Sequence, residues 1–375
     1  WKVLLCATPL LERNPHPEVL AEGTVTLPDI APGETGTAHF SLPDAFRNGD
    51  VLELEAFDRD GHSLCQWTYP IKNARTYYEE KLAFTPQTLE WTEPATAVRR
   101  DGTVTLKSDR VTVAFDDSTG IIRCVTADGV EVPLTNGPLP VGMKMRYNAD
   151  RSYVRRAADG AVFCARYQGG ADSIVWKLTD NGLLYMDALL LNRASGGGGF
   201  DDAFMDTKVY NLGLTFDYPE QLCTGMQWLG RGPYRVWKNR IPGTNYNIWQ
   251  KDYNNTITGE SFENLVYPEF KGYHANLYWA GIRSDKAPFT VYSRTDGIFF
   301  RVFTPEEPKG GDGRTMPLFP DGDLSFLLDI PAIRSFKPTE QQGPNSQPGN
   351  IRIKSGDEGL HIDLVFDFRH TDKEH

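Results

Sequence analysis

Hydrophobic and polar residues alternate over short runs along almost the whole chain, and this pattern predicts β-strands rather than helices. The predicted strands are rich in β-branched and aromatic residues and end at Gly, Pro, Asp or Asn. They cover residues 25–27, 39–42, 51–57, 111–115, 174–178, 290–292, 298–303 and 361–366. A helical pattern is confined to one or two turns at residues 77–82.

The residues between these strands predict tight turns. Four pairs, each ending in Gly, tolerate the positive φ that a short hairpin requires, namely Asp60-Gly61, Asp128-Gly129, Asn181-Gly182 and Asp296-Gly297. The 35 Gly and 25 Pro residues are spread along the chain rather than concentrated in a linker. Antiparallel sheets in an all-β sandwich architecture are therefore predicted.

The spacing of the strands predicts two β domains of unequal size. Residues 1–72 have the strand spacing of an immunoglobulin or fibronectin sandwich, but too few strands for seven, so this domain is predicted to be truncated at its N-terminus. Residues 73–100 read as a connector. Residues 101–375 show no break in composition and predict one β domain larger than an ordinary sandwich.

Composition excludes several classes of function. The chain has 375 residues, of which 40% are hydrophobic and 12% aromatic, enough for substantial cores. Its 39 basic and 50 acidic residues give a net charge of −11, which argues against nucleic acid and anionic membrane as partners. No apolar run is long enough to span a bilayer.

The five cysteines are scattered and include no Cys-x-x-Cys pair, so neither a zinc site nor a redox motif is predicted. We interpret them as mostly free, buried thiols. A single bridge between Cys6 and Cys65 stays open as an alternative, and the sequence leaves the cellular compartment open.

The segment at residues 228–240 carries the most specific chemistry. Gly230 and Gly232 allow a sharp bend that Pro233 then fixes. Planar guanidinium donors that suit carboxylates or sugar hydroxyls come from Arg231, Arg235 and Arg240. Rigid aromatic faces that could stack on a pyranose ring come from Trp228, Tyr234, Trp237, Tyr246 and Trp249. The alternative is that the aromatic residues close a β core and the arginines form structural ion pairs.

Residues 228–240 (WLGRGPYRVWKNR), with 268–274 (PEFKGYH) and Trp279, resemble the C-terminal region of β-galactosidase-type enzymes of glycoside hydrolase family 2. The resemblance implies a large galactose-mutarotase-like supersandwich after the immunoglobulin-like domain. It also implies retaining hydrolysis of a terminal β-linked sugar by two glutamates in a (β/α)8 barrel. This chain shows no such barrel, so it is predicted to be non-catalytic.

The same resemblance implies partners and binding residues. The partners are the catalytic barrel of the same polypeptide and carbohydrate, and a homo-oligomer is left open. Some relatives extend a loop whose aromatic residue stacks on galactoside, and residues 330–350 are the nearest match by position. The implied carbohydrate-binding residues are Arg231, Tyr234, Arg235, Trp237, Arg240, Glu269, His274 and Phe336. A role for Phe336 at a surface or interface is the alternative.

The chain also departs from the family pattern within both motifs. Arg235 and Asn239 stand where Glu and Asp are usual, and Phe270, His274 and Asn276 stand where Glu, Arg and Asp are common. Carboxylates are thus lost from both motifs, and an Arg is lost from the second. If these groups pair with each other in the relatives, their joint loss avoids leaving a buried charge without its partner. The departures indicate a divergent subgroup whose sugar is not specified.

Two other functions and one ion site remain as alternatives. An aldose epimerase of the mutarotase type would need a carboxylate base and a His acid, for which Glu269 and His274 are the candidates. A stand-alone carbohydrate-binding module would need exposed aromatic residues on one sheet. No cofactor is predicted, although loop carbonyls with Asp321 or Asp323 could bind a structural Ca²⁺ or Na⁺ ion.

Overall fold

The computed structural model describes residues 1–9, 16–83, 93–190, 208–209, 211–255, 269–305, 319–333, 341, 351–352 and 359–369. Within them the chain is all-β, with one short α-helix and several sheets packed as layers, so the predicted fold class is confirmed. Short 3₁₀ turns occur at Asp44–Asn48, Ala149–Arg151 and Glu220–Leu222. None of the helices in the described residues has the length and hydropathy to cross a bilayer.

The N-terminal residues form one four-stranded antiparallel sheet. Its strands run in the spatial order β2-β1-β3-β4. Their bounds are β1 Lys2–Leu5, β2 Glu18–Glu22, β3 Val51–Phe57 and β4 Ser63–Pro70. The hairpin between β3 and β4 turns at Gly61, whose φ of +85° is the left-handed conformation that the Asp-Gly pair predicted.

A helix links this sheet to the rest of the chain. Helix α1 spans Ala74–Tyr78 and continues as a π-helical turn over Glu79–Ala83, which matches the helical turns predicted there. The Asn73 side chain caps α1 by accepting a hydrogen bond from the Thr76 amide at 2.7 Å. The Tyr77 hydroxyl donates to the carbonyl of Cys6 at 3.0 Å, which ties the helix to the first sheet.

A five-stranded antiparallel meander follows. Its strands lie in sequence order from β5 to β9. They are β5 Thr96–Arg100, β6 Thr103–Lys107, β7 Val111–Asp116, β8 Ile122–Ala127 and β9 Val130–Val132. The ring of Phe115 in β7 packs against those of Phe163 and Trp176, at centroid distances of 5.3 and 5.2 Å. Both partners belong to the ten-stranded sheet described next, so the meander covers part of that sheet.

The remaining strands build a ten-stranded sheet, a second five-stranded sheet and a two-stranded ladder. The ten-stranded sheet has the order β11-β13-β14-β15-β26-β22-β21-β18-β19, with β12 also pairing with β13. Its strands are β11 Met145–Tyr147, β12 Tyr153–Ala157, β13 Gly160–Gly169, β14 Ala171–Thr179, β15 Leu183–Leu190, β18 Gly225–Gly232, β19 Asn245–Asp252, β21 Trp279–Arg283, β22 Phe289–Ser293 and β26 Leu360–Asp367.

The second five-stranded sheet lies against one face of the ten-stranded sheet. Its order is β10-β17-β24-β23-β20, from strands β10 Thr135–Val141, β17 Leu212–Asp217, β20 Gly272–His274, β23 Phe299–Val302 and β24 Leu324–Asp329. The two-stranded ladder pairs β16 Lys208–Val209 with β25 Ile351–Arg352. Phe216 of β17 contacts Phe366 of β26 at 5.6 Å between ring centroids, so the two large sheets share one core.

The ten-stranded sheet is covered on both faces. In β18, Trp228 joins the core shared with the five-stranded sheets, while the adjacent Leu229 packs with Tyr77 and Tyr78 of α1. The same alternation occurs in β26, where Phe366 and Val365 belong to different clusters. Because successive side chains of a strand point to opposite faces, a strand covered on both sides can bury consecutive apolar residues, as β26 does at Leu364, Val365 and Phe366.

Two of the predicted strands are wrong. Residues 25–27 and 39–42 have no regular secondary structure, and no described strand pairs with either. Leu27 and Phe40 are exposed, so the alternation there belongs to a surface segment outside the sheets. The Cys6–Cys65 bridge is not formed, because all five cysteines are free, with Cys6 buried and Cys65 exposed.

Candidate functional site

Strand β18 positions the first half of the 228–240 segment deep in the sheet. Trp228 lies opposite Trp249 of β19 and Ala280 of β21, and its indole is almost completely buried. The indole N–H donates to the carbonyl of Arg231 at 3.2 Å. Trp228 therefore serves the core and holds the end of its own strand.

The two motifs of the resemblance meet in space. Beyond β18, the Arg231 amide donates to the carbonyl of Ala275 at 2.9 Å, and the Val236 amide donates to that of Tyr273 at 2.8 Å. Between these contacts Gly232 lies against Trp249, whose ring a Cβ atom would meet at 2.7 Å. The segment thus leaves the ten-stranded sheet and pairs with β20, at the edge of the neighbouring sheet.

The three predicted arginines have different environments. Arg231 donates to the carbonyl of Thr244 at 2.9 Å and stacks over the ring of Tyr246, with 4.6 Å between the guanidinium carbon and the ring centroid. Arg235 is largely buried and pairs with Glu269 at 3.5 Å. Arg240 is exposed at the end of the segment. Two of the three guanidiniums are therefore engaged in contacts within the protein.

The predicted aromatic residues also divide into buried and exposed. Trp237 packs between Tyr273 and Phe319, each with its ring centroid 5.4 Å away, and it is buried. Tyr234 is 42% exposed. Of these two predicted stacking residues, only Tyr234 presents its ring to solvent.

His274 is enclosed at the end of β20. Its ring lies 4.8 Å from that of Trp228, and only 1% of the residue is exposed. Nε2 is 3.3 Å from the carbonyl of Phe270, so Nε2 carries the proton and Nδ1 is left as an acceptor. Burial, with the positive charges of Lys251 and Arg235, lowers the pKa of His274 to about 4. The imidazole is therefore neutral at neutral pH.

Lys251 lies near Arg235, Glu269 and His274, and the sequence did not indicate it as a site residue. Burial lowers the pKa of its amine to about 8, against the opposing effect of the Glu269 carboxylate. The Nζ atom is buried and has no hydrogen-bond partner in the part of the chain that the structure describes. Period-2 alternation offered a signal, because Lys251 shares its strand face with Trp249, which is partly buried and packs against the core.

A second lysine near His274, Lys271, is buried and has a carboxylate partner. Lys271 is 2% exposed in its side chain and forms an ion pair with Glu220 at 2.5 Å. Glu220 also accepts a hydrogen bond from the Tyr253 hydroxyl. Charged side chains of both signs, buried or partly buried, are therefore gathered near His274, namely Glu220, Arg235, Lys251, Glu269 and Lys271.

The loop predicted as an ion site faces a different cation. The Arg301 guanidinium donates to the carbonyls of Pro320, Asp321 and Gly322 at 3.0, 3.2 and 2.7 Å. Asp323 accepts a hydrogen bond from the Tyr218 amide at 2.8 Å, and burial raises the pKa of its carboxyl. These loop carbonyls are thus occupied by an internal guanidinium.

One other group has metal-ligating side chains close together. Donor atoms of Asp58, Asp60 and His62 lie within 4.8 Å of one another on the hairpin between β3 and β4. The Asp58 carboxylate already accepts from the amides of Asp60 and His62, which holds the pKa of Asp58 below its usual value. These bonds are those of a tight turn, and the group is solvent-facing.

The last predicted binding residue, Phe336, lies outside the described residues, as does most of the 330–350 loop. The beginning of that loop is fixed by Asn239, whose side-chain amide donates to the carbonyl of Ile333 at 3.0 Å. The amide of Ile333 donates back to the Asn239 side-chain oxygen at 2.9 Å. The 228–240 segment and the start of the loop are therefore joined directly.

Comparison with known proteins finds distant similarity to solved structures and none to a protein family. No family model matches the chain, and no curated protein matches it. Among solved structures, the chain is similar to a galactose mutarotase related enzyme from Lactobacillus acidophilus, with 10% sequence identity and a TM-score of 0.33. The match covers 73% of this chain and 99% of that one. A TM-score this low supports no argument about function.

Proposed function

We propose that this chain is a non-catalytic β region of a β-galactosidase-like glycoside hydrolase, which supports a catalytic barrel and shapes one wall of its sugar pocket. One observation carries the proposal. The two motifs that resemble that family are residues 228–240 and 268–274, of which the structure describes 228–240 and 269–274. They join the ten-stranded sheet to the edge of its neighbour through backbone hydrogen bonds. Most of the aromatic and charged side chains of these motifs in the described residues make contacts within the protein.

The exposed residues of the segment indicate where a barrel or sugar would make contact. Tyr234 and Arg240 face solvent, whereas Trp237 and Arg235 are buried or nearly so. An exposed aromatic ring and an exposed guanidinium are residue types enriched at protein interfaces. We therefore assign the outward contact to Tyr234 and Arg240.

The geometry does not favour an aldose epimerase at Glu269 and His274. An epimerase acid must reach substrate and carry a proton near neutral pH. His274 is buried, its Nε2 faces a backbone carbonyl, and its pKa is lowered to about 4. Glu269 is 6% exposed and pairs with Arg235.

A carbohydrate-binding module is a second candidate, favoured by one feature of the N-terminal sheet. Trp67 and Tyr69 are two positions apart on β4, so their rings lie on the same face, and they are 45% and 50% exposed. Adjacent exposed aromatic rings can stack on successive sugar units. Retarded migration of the protein in a gel that contains a β-galactan, lost in Trp67→Ala, would support this function.

The primary proposal is tested by complementation. Hydrolysis of 4-nitrophenyl β-galactoside would be measured for this chain, for a separately produced (β/α)8 barrel of the β-galactosidase type, and for their mixture. We expect the chain alone to be inactive and the mixture to exceed the barrel alone. The double variant Tyr234→Ser/Arg240→Ser should lose the enhancement, whereas Tyr153→Ser, an equally exposed Tyr on β12, should keep it.

Polarimetry on the chain alone supplies the opposing outcome. Conversion of α-galactose to the β anomer that disappears in Glu269→Gln would overturn the proposal in favour of an epimerase. Hydrolysis of the aryl galactoside by the chain alone would also overturn it.

A further inference from the structure

A cavity of about 410 Å³ lies where the N-terminal sheet meets the ten-stranded sheet. One wall is the linker at residues 70–74, between β4 and α1. The other walls are Tyr246 of β19, the loop at 276–278 and the turn at 296–297. Sites for small molecules commonly have volumes of about 300 to 1,000 Å³, so this cavity has the size of a ligand site.

Several polar groups of the cavity wall are only half used by the protein. The Tyr278 hydroxyl donates to the Lys72 carbonyl at 2.6 Å, which leaves its oxygen free to accept. The Asn73 side-chain oxygen caps α1, and its NH₂ group is left as a donor. One oxygen of Asp296 accepts from the Ala74 amide at 2.8 Å, which leaves the other oxygen as an acceptor.

Among the residues of the cavity wall, Asn276 has the most hydrogen-bonding capacity left for a ligand. Its backbone is in the left-handed region, with φ of +54°, held by hydrogen bonds of its neighbours Ala275 and Leu277. Such conformations persist where the surrounding structure fixes them, and they are concentrated at binding sites. Its half-buried side-chain amide lines the cavity and has no hydrogen bond within the described part of the chain. It can therefore both donate and accept.

The charges at the cavity select the class of ligand. The Lys72 ammonium lies between Asp50 and Glu80, at 3.1 and 2.6 Å, so its positive charge is already balanced. The groups left for a ligand are two amides, a phenolic oxygen and a carboxylate oxygen of Asp296. The Asp296 carboxylate disfavours an anionic ligand, and the set as a whole combines donors with acceptors as a hydroxyl group does. Tyr246 also lines the cavity, and its ring is held between the Arg231 guanidinium and the Tyr278 ring.

We propose that this cavity binds a small neutral polyhydroxylated molecule of monosaccharide size. The ligand would contact the linker on one side and the large β domain on the other, and so would hold the N-terminal sheet in place. This inference goes beyond the proposed function, because it rests on the cavity alone and holds whether or not the chain supports a barrel.

The test is titration calorimetry on the whole chain with D-galactose, D-glucose and myo-inositol, with D-glucuronate as the anionic probe. We expect saturable binding of at least one neutral probe and weaker binding of glucuronate. Asn276→Gly keeps the left-handed backbone and removes the amide, so it should weaken binding at least about tenfold. The matched control is Asn136→Gly, since Asn136 also has a positive φ (+47°) but lies outside the cavity wall.

The outcomes separate clearly. Absence of saturable binding by every neutral probe, or equal binding by Asn276→Gly and the wild type, would overturn the inference. Tighter binding of glucuronate would overturn the assignment of a neutral ligand. If Asn276→Gly does not fold, Asp296→Asn provides the second variant, because it keeps an acceptor for Ala74 and removes the charge. It should reduce the preference for the neutral probe over glucuronate, and an unchanged preference would overturn the inference. The complementation assay with the barrel is a separate measurement, so either idea can fail alone.

Discussion

Arg301 and Lys251 are both long basic side chains enclosed by the large β region, and they differ in what surrounds their nitrogen atoms. The Arg301 guanidinium contacts three carbonyls and the hydroxyls of Thr304 and Ser325. The Lys251 amine has no hydrogen-bond partner in the described residues. Burial lowers the pKa of both, to about 10 for Arg301 and about 8 for Lys251.

The contrast shows how to separate a structural charge from a candidate site. A buried cation whose donors all have acceptors holds a loop in place, and its hydrogen bonds stabilise the folded state. A buried cation with unmet donors costs stability, so its presence calls for an explanation outside the fold. Lys251 and its neighbour His274, with an unmet acceptor at Nδ1, are of the second kind.

The largest effect should come from removal of the satisfied cation. Arg301→Met would leave the carbonyls of the 320–322 loop and the Ser325 hydroxyl without their donor in a buried site. We expect a loss of about 3 to 5 kcal/mol in the free energy of unfolding. Urea unfolding followed by fluorescence measures it, with exposed Arg100→Met as the control. A loss as small as that of the control would contradict the structural role.

The next effect is acid sensitivity centred on His274. The native pKa is about 4 and the unfolded value is near 6.5, so the unfolded chain binds more protons between these pH values. The contribution of His274 to the free energy of unfolding is therefore complete above pH 6.5. It decreases by about 3 kcal/mol as the pH falls to 4 and below. Unfolding curves at several pH values should show this slope in the wild type and a smaller slope in His274→Gln. An unchanged slope in the variant would refute it.

The pair formed by Arg235 and Glu269 should give an intermediate effect. Glu269→Gln leaves Arg235 largely buried without its carboxylate, and we expect a loss of about 2 kcal/mol. A double-mutant cycle with Arg235→Met tests the coupling, because the double variant should lose less than the sum of the two single variants. Strict additivity would mean that the ion pair makes no contribution.

The smallest effect should have the opposite sign. Lys251→Met places an apolar side chain of similar length where the amine has no partner, so we expect stability at pH 7 to rise by about 1 kcal/mol. Thermal unfolding of this variant, with exposed Lys107→Met as its control, provides the measurement. Destabilisation by Lys251→Met would show that the amine is satisfied in solution, and the contrast with Arg301 would fail.

Much of the fold was predictable because local alternation of polar and apolar residues, together with turn residues, marks most of its strands. The run at 51–57 became β3, and the Asp-Gly and Asn-Gly pairs became turns with positive φ at Gly61, Gly129 and Gly182. Residues 25–27 and 39–42 show the limit of this reasoning. Alternation records which side chains could face a core, whereas a strand also requires a neighbour to pair with. The domain boundaries proposed near residues 72 and 100 stay predictions.

The site was less predictable, because burial and partners depend on contacts between distant segments. The sequence suggested that Trp237 and Arg235 could face a sugar, and the structure places the first between Tyr273 and Phe319 and pairs the second with Glu269. The alternative considered for the 228–240 segment, a closed core with structural ion pairs, describes these two residues better. Nothing in the local pattern marks Asn276 as a cavity residue, since the walls come from four separate parts of the chain.

The position of β26 has a consequence for the order of assembly. This strand, Leu360–Asp367, lies in the middle of the ten-stranded sheet, between β15 and β22. Its partner β15 leaves the ribosome about 170 residues earlier, which at roughly 5 to 20 residues per second is a wait of about ten to thirty seconds. During that time the apolar edge of β15 has no native partner, and long-range pairings of this kind form slowly. We therefore expect Leu183–Leu190 to be the segment of this sheet most exposed to non-native pairing until β26 is made.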